Sequence, residues 1–396
     1  MKKLVKGLGY ALLLVAVLVA VVGFTQREKI SRLYAVVTLF DEDTIVQNFS
    51  NMNDVMLAAP LERDRPTDPW PKKTGPLPST FLHDGKVEKL EDFLAETSTT
   101  ALLVIHDGVI VHEDYRLGTA QEDLRISWSV AKSFLSAVFG IALDEGKIAS
   151  LRDPVDKYVP ALSQSAYAGV AIEDVLHMSS GVRFNEDYFD YDSDINKMGR
   201  VLALGASMDE FAASMHERER PAGEQWQYVS IDTHVLSMVL RAATQRSLTD
   251  YLSERLWQPL GTDGDGYYLT DGDGAAFALG GLNMQTRDYA RFGELFRNNG
   301  KWKGQQVVPE AWTQVSTRNS APGMKRQSQG YGYQWWLPEN SDGEFFAGGI
   351  YGQYIYVNRV TGVVVVKNSA HRTFNAPGVR TRTIEFFRSL AKHYDQ

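Results

Sequence analysis

Hydrophobic and polar positions divide this chain into unlike stretches. Gly7 to Gln26 is an uncharged, apolar run of 20 residues, the length a helix needs to cross ~30 Å of hydrocarbon. Next, 27–80 carries Pro60, Pro66, Pro69, Pro71, Pro76 and Pro78, a density that predicts an extended segment laid over a surface. Ala101–Ile105 and Val109–Val111 are β-type runs around His106-Asp107-Gly108, and Asp-Gly between such runs predicts a hairpin. Ser129–Leu143 reads as a helix stopped by Gly146. Shorter helical patterns follow at Ile172–Met178, Met208–Met215, Thr233–Ala243 and Leu248–Leu256. After about 275, Arg287–Asn298 reads as a helix, Tyr354–Val357 and Val363–Lys367 as strands, and Gly378–Tyr394 as a closing helix.

Strand patterns near both termini with helices between them predict an α/β (α+β) fold. Its antiparallel sheet is built from both ends of the chain and flanked by helices, with an inserted helical region at about 150–270. The expected organisation is an anchor at 1–26, the Pro-rich extension at 27–80 and a catalytic unit at 81–396. Lys2, Lys3 and Lys6 before the apolar run and Arg27 after it favour an uncleaved signal anchor. The catalytic unit is then expected to be held at the inner (cytoplasmic) membrane on its outer, periplasmic side. Cleavage near Val21-Val22-Gly23 would instead release a secreted protein.

Composition narrows the chemistry. The chain has 396 residues and no cysteine, which excludes disulfides, thiolate metal sites and a Cys nucleophile. Lys plus Arg is 41 against 49 for Asp plus Glu, a net charge of −8. With no basic cluster, nucleic acid is not an expected partner. There is no Gly-x-Ser-x-Gly elbow and no His-Glu-x-x-His. Asp263-Gly264-Asp265-Gly266 and Asp271-Gly272-Asp273-Gly274 read as turns, because Gly274 stands where a calcium loop needs Glu. His177 reads as a hydrogen-bonded core residue. No metal or cofactor is expected.

The informative stretch is Ser127-Trp128-Ser129-Val130-Ala131-Lys132-Ser133-Phe134. Ser129 and Lys132 are three apart, so a helix puts them on one face. Burial among apolar neighbours lowers a lysine pKa, leaving an amine able to take the serine proton. A loop, Pro221-Ala222-Gly223, delivers Tyr228 ahead of an apolar helix, where a phenol can relay that proton. Phe346-Ala347-Gly348-Gly349-Ile350-Tyr351-Gly352 offers a glycine-rich strand edge. Its backbone N–H and that of Ser129 would form an oxyanion hole.

In this order the pieces resemble the serine β-lactamase and penicillin-binding hydrolase superfamily. Within it the match is to the class C-like branch of 6-aminohexanoate-dimer hydrolase-like proteins and family VIII carboxylesterases. Val175–Val182, Pro259-Leu260-Gly261, Gly280-Gly281-Leu282 and Arg287–Gly293 carry further parts of the likeness. The resemblance implies Ser129 as acylated nucleophile, Lys132 as its base, Tyr228 as the second-motif tyrosine and an oxyanion hole from Ser129 and Ile350. It implies Tyr188, Gly349 and Tyr351 as substrate contacts. Two departures shift the expected substrate. The second motif reads Tyr228-Val229-Ser230 rather than Tyr-x-Asn, and the third has no Lys-Thr-Gly cation. The literal Lys73-Thr74-Gly75 precedes Ser129 and reads as chance, and Tyr356-Val357-Asn358 as a decoy. Small esters or linear amides are therefore expected over penicillin-type carboxylates. A DD-peptidase or β-lactamase, and a non-catalytic sensor on the same fold, are the competing readings.

Overall fold

The computed structural model describes residues 2–64, 66–67, 69–324 and 329–395. Its centre is an antiparallel sheet of seven strands. In chain order these are β1 (Thr99–His106), β2 (Val109–Tyr115), β3 (Gly330–Tyr331), β4 (Trp336–Leu337), β5 (Glu344–Gly349), β6 (Gln353–Asn358) and β7 (Val363–Ser369). Their spatial order is β3-β4-β5-β6-β7-β1-β2. β7 pairs with β1 from Val363↔His106 to Ser369↔Thr99, so the two ends of the chain meet in mid-sheet as expected. Asp107 and Gly108 turn the β1–β2 hairpin, both at positive φ (46° and 78°), the conformation a tight hairpin needs.

Alternation along β1 feeds two cores. Leu102 and Val104 pack with Phe93, Phe386, Phe387 and Leu390, and the last three belong to the C-terminal helix Val379–Tyr394. Leu103 and Ile105 face the opposite core with Phe134 and Phe292. A strand buried on both faces has no solvent side, so β1 reads as one apolar run. Gly293 lets the helix Thr286–Arg297 lie close on the sheet: a Cβ there would meet Val364 at 2.6 Å and Ile355 at 2.8 Å.

The segment 27–80 differs from its expectation. Prolines hold only its second half extended. The first half forms a helix at Arg27–Thr38 and a short one at Ile45–Asn48. Ile45, Phe49, Met52 and Met56 are buried in the larger core. Ala58–Leu61 then pairs with Gly266–Leu269 in a second, four-stranded sheet. Burial of these apolar side chains outweighs the local extended preference. Lys73-Thr74-Gly75 lies along β2, with Lys73 N–H donating to Ile110 and Gly75 N–H to Val111.

Ahead of this segment runs the helix Lys2–Thr25. Among the described residues, Lys6–Thr25 is the one helical stretch long and apolar enough to cross a membrane, with mean hydropathy 2.5 and no burial against the rest of the chain. A signal sequence has the same properties. The helix expected at Leu248–Leu256 is α-helical only to Leu252, and Ser253–Trp257 continues as a π-helical turn.

Candidate active site

Ser129 lies in a 3-10 turn, Trp128–Val130, that runs straight into the helix Ala131–Asp144. Trp128 before it has φ 45°, a left-handed conformation unusual for a bulky residue and costly by about 1–3 kcal/mol. Its ring is held against Phe49 at 5.6 Å and Phe40 at 5.9 Å, which offsets that cost. One turn on, Lys132 Nζ lies 3.2 Å from Ser129 Oγ.

Lys132 is 1% exposed. Its Nζ also donates to the carbonyl of Leu279 at 2.9 Å, which aims the amine. Burial pulls its pKa down to about 7, against the opposing influence of Glu186 and Asp232. A large share of this lysine is therefore neutral at neutral pH.

Tyr228 completes the group, with its phenol in hydrogen-bond contact with Ser129. Lys132 Nζ sits 5.4 Å from the centre of the Tyr228 ring. The ring stacks on Trp336 of β4 at 5.6 Å and 18°, so the phenol is fixed in plane. Burial, reinforced by Glu186, pushes its pKa above the ordinary phenol value, so Tyr228 stays a proton donor.

Gly349, at the end of β5, comes up against the serine turn. A Cβ added there would lie 2.6 Å from the Ser127 carbonyl and 3.2 Å from the Ser129 nitrogen. Only glycine allows this approach. Ile350 and Tyr351 follow it, and both line a cavity of about 570 Å³ that also contains Ser129 and Tyr188. Of the site residues anticipated from sequence, Ser129, Tyr188, Ile350 and Tyr351 share this cavity, while Lys132, Tyr228 and Gly349 border Ser129. The Tyr188 hydroxyl donates to Glu186 at 2.7 Å.

Glu186 is the member that sequence reasoning missed. It accepts from the Ser230 N–H at 3.0 Å and from the Ser230 hydroxyl. Burial raises its pKa, with Lys132 acting the other way. Ser230, in the place of the motif's Asn, thus serves to hold a carboxyl near the lysine. The available signal was Glu186-Asp187-Tyr188, read only for its tyrosine. Asp232 is a second unanticipated acid. It accepts from Tyr167 at 2.6 Å and Ser180 at 2.8 Å, and burial pushes its carboxyl up to about 7.

Other sequence signals resolve as packing. His177 is buried and hydrogen-bonds Ser320 at 2.8 Å. Asp271 spends its carboxylate on the N–H groups of Met208, Asp273 and Ala275, the bonding of a turn.

The beta-lactamase family profile matches residues 87–386. The 6-aminohexanoate-dimer hydrolase of Paenarthrobacter ureafaciens is 30% identical over 335 residues, spanning 81% of this chain and 84% of that one. A Bacillus anthracis structure assigned as a 6-aminohexanoate-dimer hydrolase superposes with TM-score 0.80 at 23% identity, covering 90% and 95% of the two chains. A family VIII carboxylesterase superposes with TM-score 0.56 at 14% identity, covering 76% and 96%. Fold and relatives together define a hydrolase of the serine amidase and esterase type. The chain belongs to the beta-lactamase family.

Proposed function

We propose that this protein cleaves a small ester or linear amide through an acyl-enzyme on Ser129. Neutral Lys132 takes the Ser129 proton as Oγ attacks the carbonyl carbon. The N–H groups of Ser129 and Ile350 receive the developing oxyanion. Tyr228 passes a proton to the departing alcohol or amine, so the acyl–oxygen or acyl–nitrogen bond breaks and the acyl group stays on Ser129. Water, deprotonated through the same pair, then releases the acid and restores the serine.

The observation that carries this reading is the 3.2 Å contact between a desolvated Lys132 and Ser129. The glycine edge supports ester and linear amide substrates over penicillin-type carboxylates, since Ala347, Gly348 and Gly349 offer no cation. Tyr188, Gly349 and Tyr351 are the proposed substrate contacts. The helix Lys2–Thr25 is proposed as an inner-membrane anchor with the catalytic unit outside the cytoplasm, and secretion after cleavage is the alternative.

The test is turnover of p-nitrophenyl acetate by the purified chain, by Ser129→Ala and by Lys132→Ala, with mass spectrometry of Ser129. Turnover and a transient 129-acyl adduct in the wild type alone are expected. Undiminished turnover in Ser129→Ala would falsify the mechanism. Acylation by a labelled penicillin, without ester turnover, would transfer the site to the cell-wall peptidase reading.

A further inference from the structure

We infer that the cavity beside Ser129 receives the acyl part of the substrate, and that this part is a linear aliphatic chain, octanoyl or longer. The inference rests on the acyl-enzyme reading and narrows its substrate class.

The walls make the chemical argument. Leu39, Phe40 and Met56 come from the N-terminal segment, Met198 and Leu202 from the helix Asp194–Leu204, and Leu269 from the second sheet. The polar side chains that reach the cavity away from the catalytic group are engaged elsewhere. The Asn196 amide donates to the carbonyls of Tyr188 and Asp190. Arg372 pairs with Glu42 at 2.7 Å, and Thr373 bonds His371 at 3.0 Å. Among the described residues, Arg372 is the one charged side chain in this lining, so a carboxylate or ammonium group placed among Leu39, Met56, Met198 and Leu202 would lose its hydration without a charged partner beside it. An alkyl chain would gain by leaving water. At about 570 Å³ the cavity falls in the usual range for small-ligand sites, far more than an acetyl group fills.

Tyr228 decides which half of the substrate enters. The group that protonates the leaving atom must face it. Tyr228 does not line this cavity. It lines a second, polar one of about 660 Å³, together with Arg183, Glu186, Asp187 and Lys197. With Ser129 on the apolar cavity and Tyr228 on the polar one, the leaving alcohol or amine is assigned to the polar side and the acyl chain to the apolar side. Tyr188 links the two: it lines the apolar cavity, and its hydroxyl donates to Glu186, which lines the polar one.

Gly199 supplies the means of testing this. It lines the apolar cavity, sits in the helix Asp194–Leu204, and a Cβ added there would meet nothing within 4 Å. A larger side chain at 199 would grow into open cavity rather than into packed protein.

The experiment uses the full-length chain in lipid nanodiscs with p-nitrophenyl acetate, butyrate, hexanoate and octanoate, each below its critical micelle concentration. In the wild type, kcat/KM is expected to rise by up to about fourfold per added methylene, the equivalent of ~0.8 kcal/mol of buried CH₂. Gly199→Phe is expected to lower the octanoate-to-acetate ratio by about tenfold or more, and Gly199→Leu to fall between. A flat or falling wild-type series, or a ratio that neither variant moves, overturns the inference. In those cases turnover of acetate with acylation of Ser129 leaves the hydrolase reading standing. If no ester acylates Ser129, that reading fails and this one with it.

Discussion

Lys132 Nζ and Ser129 Oγ lie 3.2 Å apart, with the lysine amine further fixed by the Leu279 carbonyl at 2.9 Å. The pair is useful only with the lysine neutral, and burial brings its pKa to about 7. Protonation below that pH removes the base, so kcat/KM for an ester should fall as pH drops through about 7. The raised pKa of Tyr228 predicts a plateau above neutrality with no loss up to about pH 10. Glu186→Gln removes a carboxylate that favours the ammonium and should move the acid limb to lower pH. A limb unmoved by that change would detach it from Lys132.

Gly349→Ala tests the strand edge. The added methyl meets the Ser127 carbonyl at 2.6 Å and the Ser129 nitrogen at 3.2 Å. Gly349 has φ −119°, so alanine is not strained in itself, and the cost is spacing alone. Pushing the edge away should weaken one oxyanion donor and lower kcat by about a hundredfold. The circular dichroism spectrum should remain that of the wild type. Unchanged kcat would remove β5 from the oxyanion site.

Lys367 is a buried cation that the proposed chemistry does not use. It is 1% exposed, donates to Ser369 and faces the Phe93 ring at 5.7 Å. Burial lowers its pKa to about 7, below its unfolded value of ~10.4. The unfolded chain therefore binds this proton more tightly, and stability should rise as pH goes from about 7 to about 10. Lys367→Met should add about 1–3 kcal/mol at pH 7 and flatten that rise relative to wild type. Urea unfolding at pH 7 and pH 9.5 measures both effects, and a destabilised variant would contradict them.

Arg287 reports on the frame around the sheet. It grips Glu113 through two bonds, 2.6 and 2.8 Å, and the Glu113 side chain is 3% exposed. Burial would raise this carboxyl, but bonds from Arg287, Lys72 and Tyr115 hold it at about 2. Its contribution is present above its unfolded pKa and is lost as pH falls toward 2. Arg287→Ala should cost about 3 kcal/mol at pH 7, with partial recovery in Arg287→Ala/Glu113→Gln. A cost below about 0.5 kcal/mol would mean that Lys72 and Tyr115 between them satisfy the carboxylate.

The parts legible in sequence are those whose information is local. Asp107-Gly108 prescribes its own hairpin, and Ser129 and Lys132 meet because three residues on a helical path bring them together. The first half of 27–80 was not legible. Arg27, Glu28, Lys29 and Arg32 give its helix a polar reading, and the burial of Ile45, Phe49 and Met52 depends on a core supplied from elsewhere in the chain. Glu186 reads as a loop acid until Ser230, 44 positions later, is folded against it. Lys367 likewise looks like the polar end of a valine run, and only the helix across β7 makes it a buried cation.

The pairing of β7 with β1 has a consequence for timing. His106 is made early and its partner Val363 only near the end of synthesis. The Ser129 turn likewise waits for Gly349. Closing so long a loop is entropically costly and slow. A nascent chain therefore carries the serine and lysine for most of its synthesis without the strand edge beside them. Reactivity should emerge late and all at once, after the last strands have entered the sheet, and fragments ending before Glu344 should remain inert.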